Sequence, residues 1–257
     1  MTSPWNPTQY ERFRNERSQP FFDLLSMVTP TPGGTAIDLG CGTGELTKML
    51  HEKLQARETV GIDNSETMLA KSAEHAAGGL RFELGSVYDF APSTPVDVLF
   101  SNAALQWVNS HATLFPQLFK AVAPGGQVAI QMPANNDHAS HRVAFAVGAE
   151  EPYASAMDGY QRDWPVLPPE WYAELLDRNG FSEQSIRLQV YGHHLESRDG
   201  VVEWVKGTLL TDFEKRLTPE LYQSFLARYR DRLAIELDDS RPFFYAFKRI
   251  LIWGRKR

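Results

Sequence analysis

AIDLGCGTGELTKML, residues 36–50, is the stretch of sequence from which the fold can be inferred. Its first residues form an apolar run around Asp38, as in a buried strand, and its last residues place apolar side chains at helical spacing. Between them, glycine occupies every second position, at Gly40, Gly42 and Gly44. Glycine adopts positive φ without steric penalty and carries no Cβ, so a ligand can approach this backbone closely. The pattern predicts a ligand site beside the first strand of a parallel sheet.

The alternation of strands and helices continues to residue 133. Five strands are predicted, at residues 35–40, 59–63, 80–85, 96–104 and 125–133, and two later ones at 185–194 and 243–257. Helices are predicted at residues 44–55, 65–77 (with Ser65 as N-cap), 111–123 and 168–181. Strands separated by helices pair in parallel through right-handed crossovers. We therefore expect an α/β fold, a doubly wound, mostly parallel sheet of the Rossmann-like type.

We expect the chain to form a single domain over residues 1–257. The alternation of predicted strands and helices divides this domain into two parts. The predicted sheet core comprises residues 30–135, 165–194 and 243–257. The remaining segments, residues 1–29 and 195–242, are mostly helical and too small to fold separately. We expect them to form a helical lid over the carboxyl edge of the sheet.

Composition excludes several classes of function. The formal net charge of −6 argues against a nucleic-acid partner, because phosphate binding needs a positive face. No secretion signal and no apolar stretch long enough to span a bilayer is apparent, so a cytoplasmic protein is expected. Cys41 is the single cysteine, which excludes an intramolecular disulfide. No metal site is predicted, because His193 and His194 are adjacent on a strand and point to opposite faces.

The glycine spacing distinguishes two kinds of nucleoside cofactor. A dinucleotide-binding turn reads G-x-G-x-x-G, but position 45 is Glu45, which would repel a pyrophosphate at the helix N-terminus. A ligand with a zwitterionic amino-acid end suits a turn flanked by Asp38 and Glu45 better. Asp63 ends the second predicted strand, where a carboxylate can accept hydrogen bonds from ribose hydroxyls. A nicotinamide dehydrogenase is therefore disfavoured.

Five segments in this order and spacing, AIDLGCGTG, VGIDNS, LGSVYDF, DVLFSNAALQW and APGGQVAIQMP, resemble the class I S-adenosylmethionine-dependent methyltransferases. The resemblance implies S-adenosylmethionine as the cofactor and S-adenosylhomocysteine as its product. It places the glycine turn at the methionine moiety, Asp63 at the ribose and Asn102 near the sulfonium. The implied cofactor-binding residues are Asp38, Gly40, Cys41, Gly42, Gly44, Asp63, Asn64, Met68, Ser86, Val87 and Asn102. Ser86 stands where an acid is common.

Further segments between residues 5 and 253, including WNPTQYERFRNERSQPFFDLL, SNAALQWV, VAIQMPAN, VVEWVKGT and FKRILIW, resemble the trans-aconitate methyltransferase family. That resemblance implies methylation of one carboxylate of a small organic acid, with trans-aconitate as the acceptor. The acceptor and catalytic residues it implies are Arg17, Gln106, Trp107 and His141, with Trp204 nearby. We expect an anionic small-molecule partner, no nucleic acid or membrane partner, and a monomer or weak dimer.

Two departures leave the acceptor open, one of which is the run YGHHLE, where that family has a stretch rich in threonine and tyrosine before its histidine. Gln19 and Thr211 stand where that family commonly has arginine, so a smaller acid is also compatible with the sequence. The alternative reaction is methylation of a hydroxyl or ring nitrogen, which would need a general base, with His111, His141 and His194 as candidates. A catalytically silent ligand-binding module is a third hypothesis.

Overall fold

The computed structural model describes residues 14–160 and 164–257, with side chains from residue 18 onward. The described helices are α1 (Arg14–Met27), α2 (Glu45–Leu54), α3 (Glu66–Ser72), α4 (His111–Lys120), α5 (Ala139–Gly148), α6 (Tyr153–Ala156), α7 (Pro169–Arg178), α8 (Asp199–Lys206), α9 (Thr211–Glu214) and α10 (Pro219–Glu236). The strands are β1 (Thr35–Leu39), β2 (Glu58–Asp63), β3 (Leu80–Leu84), β4 (Val96–Asn102), β5 (Val122–Pro133), β6 (Phe181–Leu195) and β7 (Phe243–Lys256). Among these helices, none combines the length and apolar content that a membrane crossing needs.

The seven strands form one sheet in the order β3-β2-β1-β4-β5-β7-β6. Strands β1 to β5 pair in parallel, and β7 runs antiparallel to β5. The predicted doubly wound, mostly parallel sheet is confirmed. The order changes direction at β1, since β2 and β4 lie on its two sides, and ligands bind at the carboxyl ends of strands at such a switch point.

The described residues form two compact units. The sheet unit contains residues 17–134, 164–189 and 249–257, and the helical unit contains, of the described residues, 14–16, 135–160 and 190–248. The residues of β6 and β7 are divided between the two units. The predicted lid over the sheet stays a prediction.

The sequence pattern places residues 1–29 in the helical cap, which stays a prediction, and the described residues of this segment from 17 onward belong to the sheet unit. The reason is burial of one helix face. Phe21 and Leu24 of α1 are fully buried in a cluster with the sheet residues Val98 and Phe100. The rings of Phe21 and Phe100 meet edge to face, 5.6 Å apart.

The helical unit has its own core of aromatic and aliphatic side chains. Phe225 of α10 stacks on Phe213 with ring centroids 4.6 Å apart, and Trp204 of α8 packs 5.9 Å from Tyr245. Helices α5 and α6 belong to this core, and the sequence pattern had left their residues unassigned. Their apolar positions pack inside the unit, which explains why they are helical without a strong charge pattern.

Candidate functional site

The glycine turn follows β1 and is held against the end of β2. The backbone N–H groups of Gly40 and Cys41 both donate to the carbonyl of Ile62, at 2.7 and 3.1 Å. Gly40, Gly42 and Gly44 have φ values of 79°, 57° and 79°, in the left-handed region that side chains rarely adopt. The turn is therefore fixed by backbone hydrogen bonds and depends on glycine at all three positions.

The three glycines differ in what surrounds them. A Cβ on Gly40 would lie 2.2 Å from the Cβ of Ala104, and one on Gly44 would lie 2.6 Å from Cζ of Phe82. A Cβ on Gly42 would meet nothing within 4 Å. Gly40 and Gly44 thus allow close packing inside the protein. Gly42 presents bare backbone to open space, as a close-approaching ligand requires.

Asp63 connects this turn to the start of α3. Its Oδ2 accepts from the backbone N–H of Gly42 at 2.9 Å, and its Oδ1 accepts from the backbone N–H of Ser65 at 2.9 Å. Ser65 is the N-cap of α3, as predicted, because its hydroxyl accepts from the N–H of Met68. A carboxylate has about four acceptor positions, so Asp63 can accept two further hydrogen bonds.

Asp38 lies in β1, two residues before the turn, and is 4% exposed. The hydroxyl of Thr47 donates to its Oδ2 at 2.6 Å. Burial raises the pKa of Asp38 to about 7, the hydrogen bond from Thr47 opposes this shift, and the charge of Asp63 adds to it. Asp38 therefore anchors α2 to β1 from inside the protein.

We expect the effect of Asp38→Asn on stability to depend on pH. A raised folded-state pKa means that folded protein binds the proton more tightly than unfolded chain, so Asp38 lowers stability as pH rises from 3.8 to about 7. The free energy of unfolding of the variant minus that of the wild type should be larger at pH 8 than at pH 5, by at most a few kcal/mol, because only the wild type loses stability as Asp38 ionises. Urea unfolding across this range measures the difference, and a constant difference would contradict the prediction.

Cys41 is buried in the same turn. Burial, with the nearby charges of Asp38 and Asp63, raises the pKa of its thiol far above the ordinary value. A thiolate is the nucleophilic form of cysteine. Cys41 is thus suited to lining the turn and unsuited to nucleophilic catalysis.

Asn102 is the last residue of β4, and the loop that follows it approaches the glycine turn at Ala104. Ala103, the residue after Asn102, has φ of 55°, and its N–H donates to the carbonyl of Gln131 at 2.9 Å. The carbonyl of Ala103 accepts from Nε2 of Gln106 at 2.7 Å. Gln106, which the family resemblance implies at the acceptor, therefore also fixes the loop. Within residues 18–160 and 164–257, Oδ1 of Asn102 is buried without a hydrogen-bond partner.

Three of the residues implied at the adenosine lie in loops after β2 and β3, and Met68 lies in the first turn of α3. Asn64 is exposed, and Met68 is partly buried. The hydroxyl of Ser86 accepts from the N–H of Tyr88 at 3.2 Å, and Val87 packs against the sheet core. Their predicted contacts with the cofactor stay predictions.

Trp107 ends a short 3-10 turn in the sheet unit, and its side chain is 46% exposed. Arg17 lies in the first turns of α1, but its side chain is outside the described part of the structure. Gln19, which stands in place of a family arginine, is exposed and donates to Asp23 at 2.8 Å. The predicted roles of Arg17 and Trp107 stay predictions.

The other implied acceptor residues belong to the helical unit. His141 is buried near the start of α5, with its Nδ1 3.0 Å from the hydroxyl of Ser140. Trp204 is buried against the ring of His193, with centroids 4.4 Å apart. Thr211, which is not an implied acceptor residue but stands in place of a family arginine, is buried in the same unit, and its hydroxyl donates to the carbonyl of Thr208 at 2.6 Å.

His111 is committed to the protein core and is poorly suited to act as a base. Its Nε2 lies 2.9 Å from the carbonyl of Leu105, so it must carry the proton, and its Nδ1 then accepts from the hydroxyl of Tyr172 at 2.7 Å. Burial lowers the pKa of His111. Of the other candidate bases, His194 is exposed on β6 and packs on Phe244.

Gln131 is a buried polar residue that the sequence pattern did not single out. It is opposite Asn102 in the parallel register of β4 and β5 and is 0% exposed. Neither Oε1 nor Nε2 of Gln131 has a hydrogen-bond partner among the described residues. A buried polar group without a partner lowers the stability of the fold by about 1–3 kcal/mol, so the presence of Gln131 at this position requires an explanation. One signal was present in the sequence, a lone amide in the apolar run VAIQMP.

Comparisons with known proteins show similarity over much or most of the chain. The family model described as a methyltransferase domain matches residues 30–159. The trans-aconitate 2-methyltransferase of Deinococcus radiodurans is 40% identical over 253 residues, covering 96% of each chain. That of Variovorax paradoxus is 38% identical over 98% of this chain and 95% of its own.

Solved structures show the same fold at low identity. The phosphoethanolamine N-methyltransferase 2 of Haemonchus contortus superposes with a TM-score of 0.57 and 16% identity, over 93% of this chain and 53% of that one. An S-adenosylmethionine-dependent methyltransferase from Mesorhizobium loti superposes with a TM-score of 0.50 and 20% identity, over 93% and 98% of the two chains.

Proposed function

The chain belongs to the S-adenosylmethionine-dependent methyltransferases, in the family of the trans-aconitate 2-methyltransferases, and from this premise we propose that it esterifies one carboxylate of trans-aconitate. The observation that carries the proposal is identity of 34–40% to several relatives of that name, spread over most of the chain. This similarity includes the helical unit and the residues implied at the acceptor, as well as the glycine turn.

The residues at the carboxyl ends of β1, β2 and β4 fit the cofactor. The open backbone at Gly42 suits the methionine moiety, and the two remaining acceptor positions of Asp63 suit the ribose hydroxyls. The buried Oδ1 of Asn102 has no partner in the described protein and can face a positively charged group. When bound, S-adenosylmethionine supplies an electrophilic methyl group on a cationic sulfur.

The protein's part in the reaction is binding, orientation and exclusion of water. An acceptor carboxylate is ionised at neutral pH and is itself the nucleophile, so no side chain needs to remove a proton. Holding this oxygen in line with the methyl carbon turns a bimolecular encounter into a positioned step. The loop from Asn102 to Gln106, fixed through Ala103, provides a rigid wall for that purpose.

We further propose that the acceptor is bound as an anion, that the protein acts in the cytoplasm and that it is a monomer or weak dimer. Against a net charge of −6, an anionic acceptor must be held by local cations. Size-exclusion chromatography with light scattering tests the oligomeric state.

Incubation of the purified protein with S-adenosylmethionine and a panel of di- and tricarboxylic acids should yield a trans-aconitate monomethyl ester, identified by mass. We expect kcat/KM for trans-aconitate to exceed that for other acids by roughly 10-fold or more. Binding of the cofactor without esterification of any acid would overturn the proposal.

The pH–rate profile separates this reaction from methylation of a hydroxyl or ring nitrogen. With a carboxylate as nucleophile, kcat should be flat through the range in which histidine titrates. A fall in kcat at low pH that disappears in His141→Gln would instead indicate a histidine base.

A further inference from the structure

The carboxyl end of β5 carries a polar group with no role in the described fold. Gln131 is fully buried in the sheet unit, and both of its amide atoms are unpartnered within the residues the structure describes. Gln127, four residues earlier on the same face, differs in this respect. Its amide donates to and accepts from the backbone of Thr29, at 2.9 Å in both cases, and accepts from Trp253.

Two other polar side chains share the face and the end of the sheet where Gln131 lies. Asn102 is directly opposite in the parallel register with β4. On the other side, Gln131 pairs with Leu251 and Pro133 pairs with Arg249, so Arg249 is the diagonal neighbour of Gln131. Diagonal neighbours in an antiparallel pair are about 7–8 Å apart at Cα, within reach of long side chains. Asn102, Gln131 and Arg249 thus form one patch at the ligand end of the sheet.

Arg249 adds positive charge to this patch. It is 7% exposed, and arginine is rarely this buried. Its guanidinium presents five donors in a fork that matches a carboxylate. The amide of Gln131 adds two donors beside it.

We propose that Gln131 and Arg249 form a subsite that binds a carboxylate of the acceptor other than the one methylated. The inference rests on the proposed function and names the side chains that select its substrate. A carboxylate would satisfy Nε2 of Gln131 and receive the charge of Arg249, next to Asn102 on the cofactor side. The subsite would also supply a cation for the acceptor, which matters because glutamine and threonine occupy positions 19 and 211, where the family commonly has arginine.

The decisive variant is Gln131→Met, which keeps the side-chain volume and removes the amide. Because Gln131 has no partner in the described part of the protein, the variant should melt at a higher temperature than the wild type. In the same protein, KM for trans-aconitate should rise roughly 10-fold, while the Kd for S-adenosylhomocysteine by calorimetry stays unchanged. A purely structural role predicts a lower melting temperature and an unchanged KM.

Gln127→Met is the matched control on the same strand and face. Both polar atoms of its amide make hydrogen bonds, so the variant should melt at a lower temperature than the wild type and keep the wild-type KM. Arg249→Lys tests whether the forked guanidinium geometry of Arg249 is needed. It retains the charge and should raise KM less than Arg249→Met does, whereas Arg255→Met, on the same strand and face, should leave KM unchanged.

The assay distinguishes failure of the subsite from failure of the proposed function. If the wild type esterifies trans-aconitate and Gln131→Met or Arg249→Met keeps the wild-type KM, the subsite is wrong and the function stands. If the wild type is inert toward trans-aconitate, the function is wrong, and the subsite is judged by thermal shift with mono-, di- and tricarboxylates. Stabilisation of the wild type that both variants lose supports the subsite, and equal or absent stabilisation refutes it.

Discussion

Replacing Asp63 with alanine should weaken S-adenosylhomocysteine binding by roughly 100-fold. Hydrogen bonds to a charged group contribute about 1.5–3 kcal/mol each, and the carboxylate has two acceptor positions left for ribose hydroxyls. The variant also loses the acceptors for the N–H groups of Gly42 and Ser65, which order the turn and α3. Binding and folding should therefore both suffer, and calorimetry together with urea unfolding measures the two effects.

Asp97→Ala is the matched control for this prediction. The carboxylate of Asp97 also accepts from backbone and hydroxyl, here the N–H and Oγ1 of Thr35 at 2.7 and 3.1 Å, but near the amino ends of β1 and β4. This variant should lose stability and keep cofactor affinity. If both variants lost affinity equally, loss of stability would explain the result and a ribose contact would be refuted.

Replacing Gly40 with alanine should have the largest effect on stability, about 2–5 kcal/mol. An alanine at φ of 79° is strained by about 1–2 kcal/mol, and overpacking costs about 1–3 kcal/mol. The contact is with Cβ of Ala104, only 2.2 Å from the added atom. Because Ala104 lies on the loop that directly follows Asn102, cofactor binding should fall as well. Urea unfolding and calorimetry measure the two losses.

Two companion variants separate strain from contact. Ala104→Gly in the Gly40→Ala background should recover part of the lost stability, because only the steric term is relieved. Gly42→Ala has similar backbone strain but open space around its Cβ, so the free energy of unfolding should fall by only about 1 kcal/mol. The binding of S-adenosylhomocysteine should nevertheless weaken by roughly 10-fold or more. A Gly42→Ala protein with normal affinity would show that this backbone does not contact the cofactor.

The sequence determined the elements of the sheet because their signals are local. The seven strands and the helices between them were predicted from apolar periodicity over ranges of five to fifteen residues, and the structure confirms their order. The N-cap of α3 at Ser65 was also read locally, since a cap bonds only its own first turn. The glycine turn was recognisable because a positive φ restricts residue type at single positions.

Tertiary structure decided what each polar side chain does. Whether His111 is a base or a core residue depends on Tyr172, 61 residues away, and the loop-fixing bond of Gln106 depends on the left-handed conformation of Ala103. The position of α1 in the sheet unit depends on burial of Phe21 against Phe100. Gln127 and Gln131 have the same type, strand and face, yet only the fold gives one of them hydrogen-bond partners. These hydrogen bonds and buried contacts join residues that are far apart in the sequence, so no local pattern could determine them.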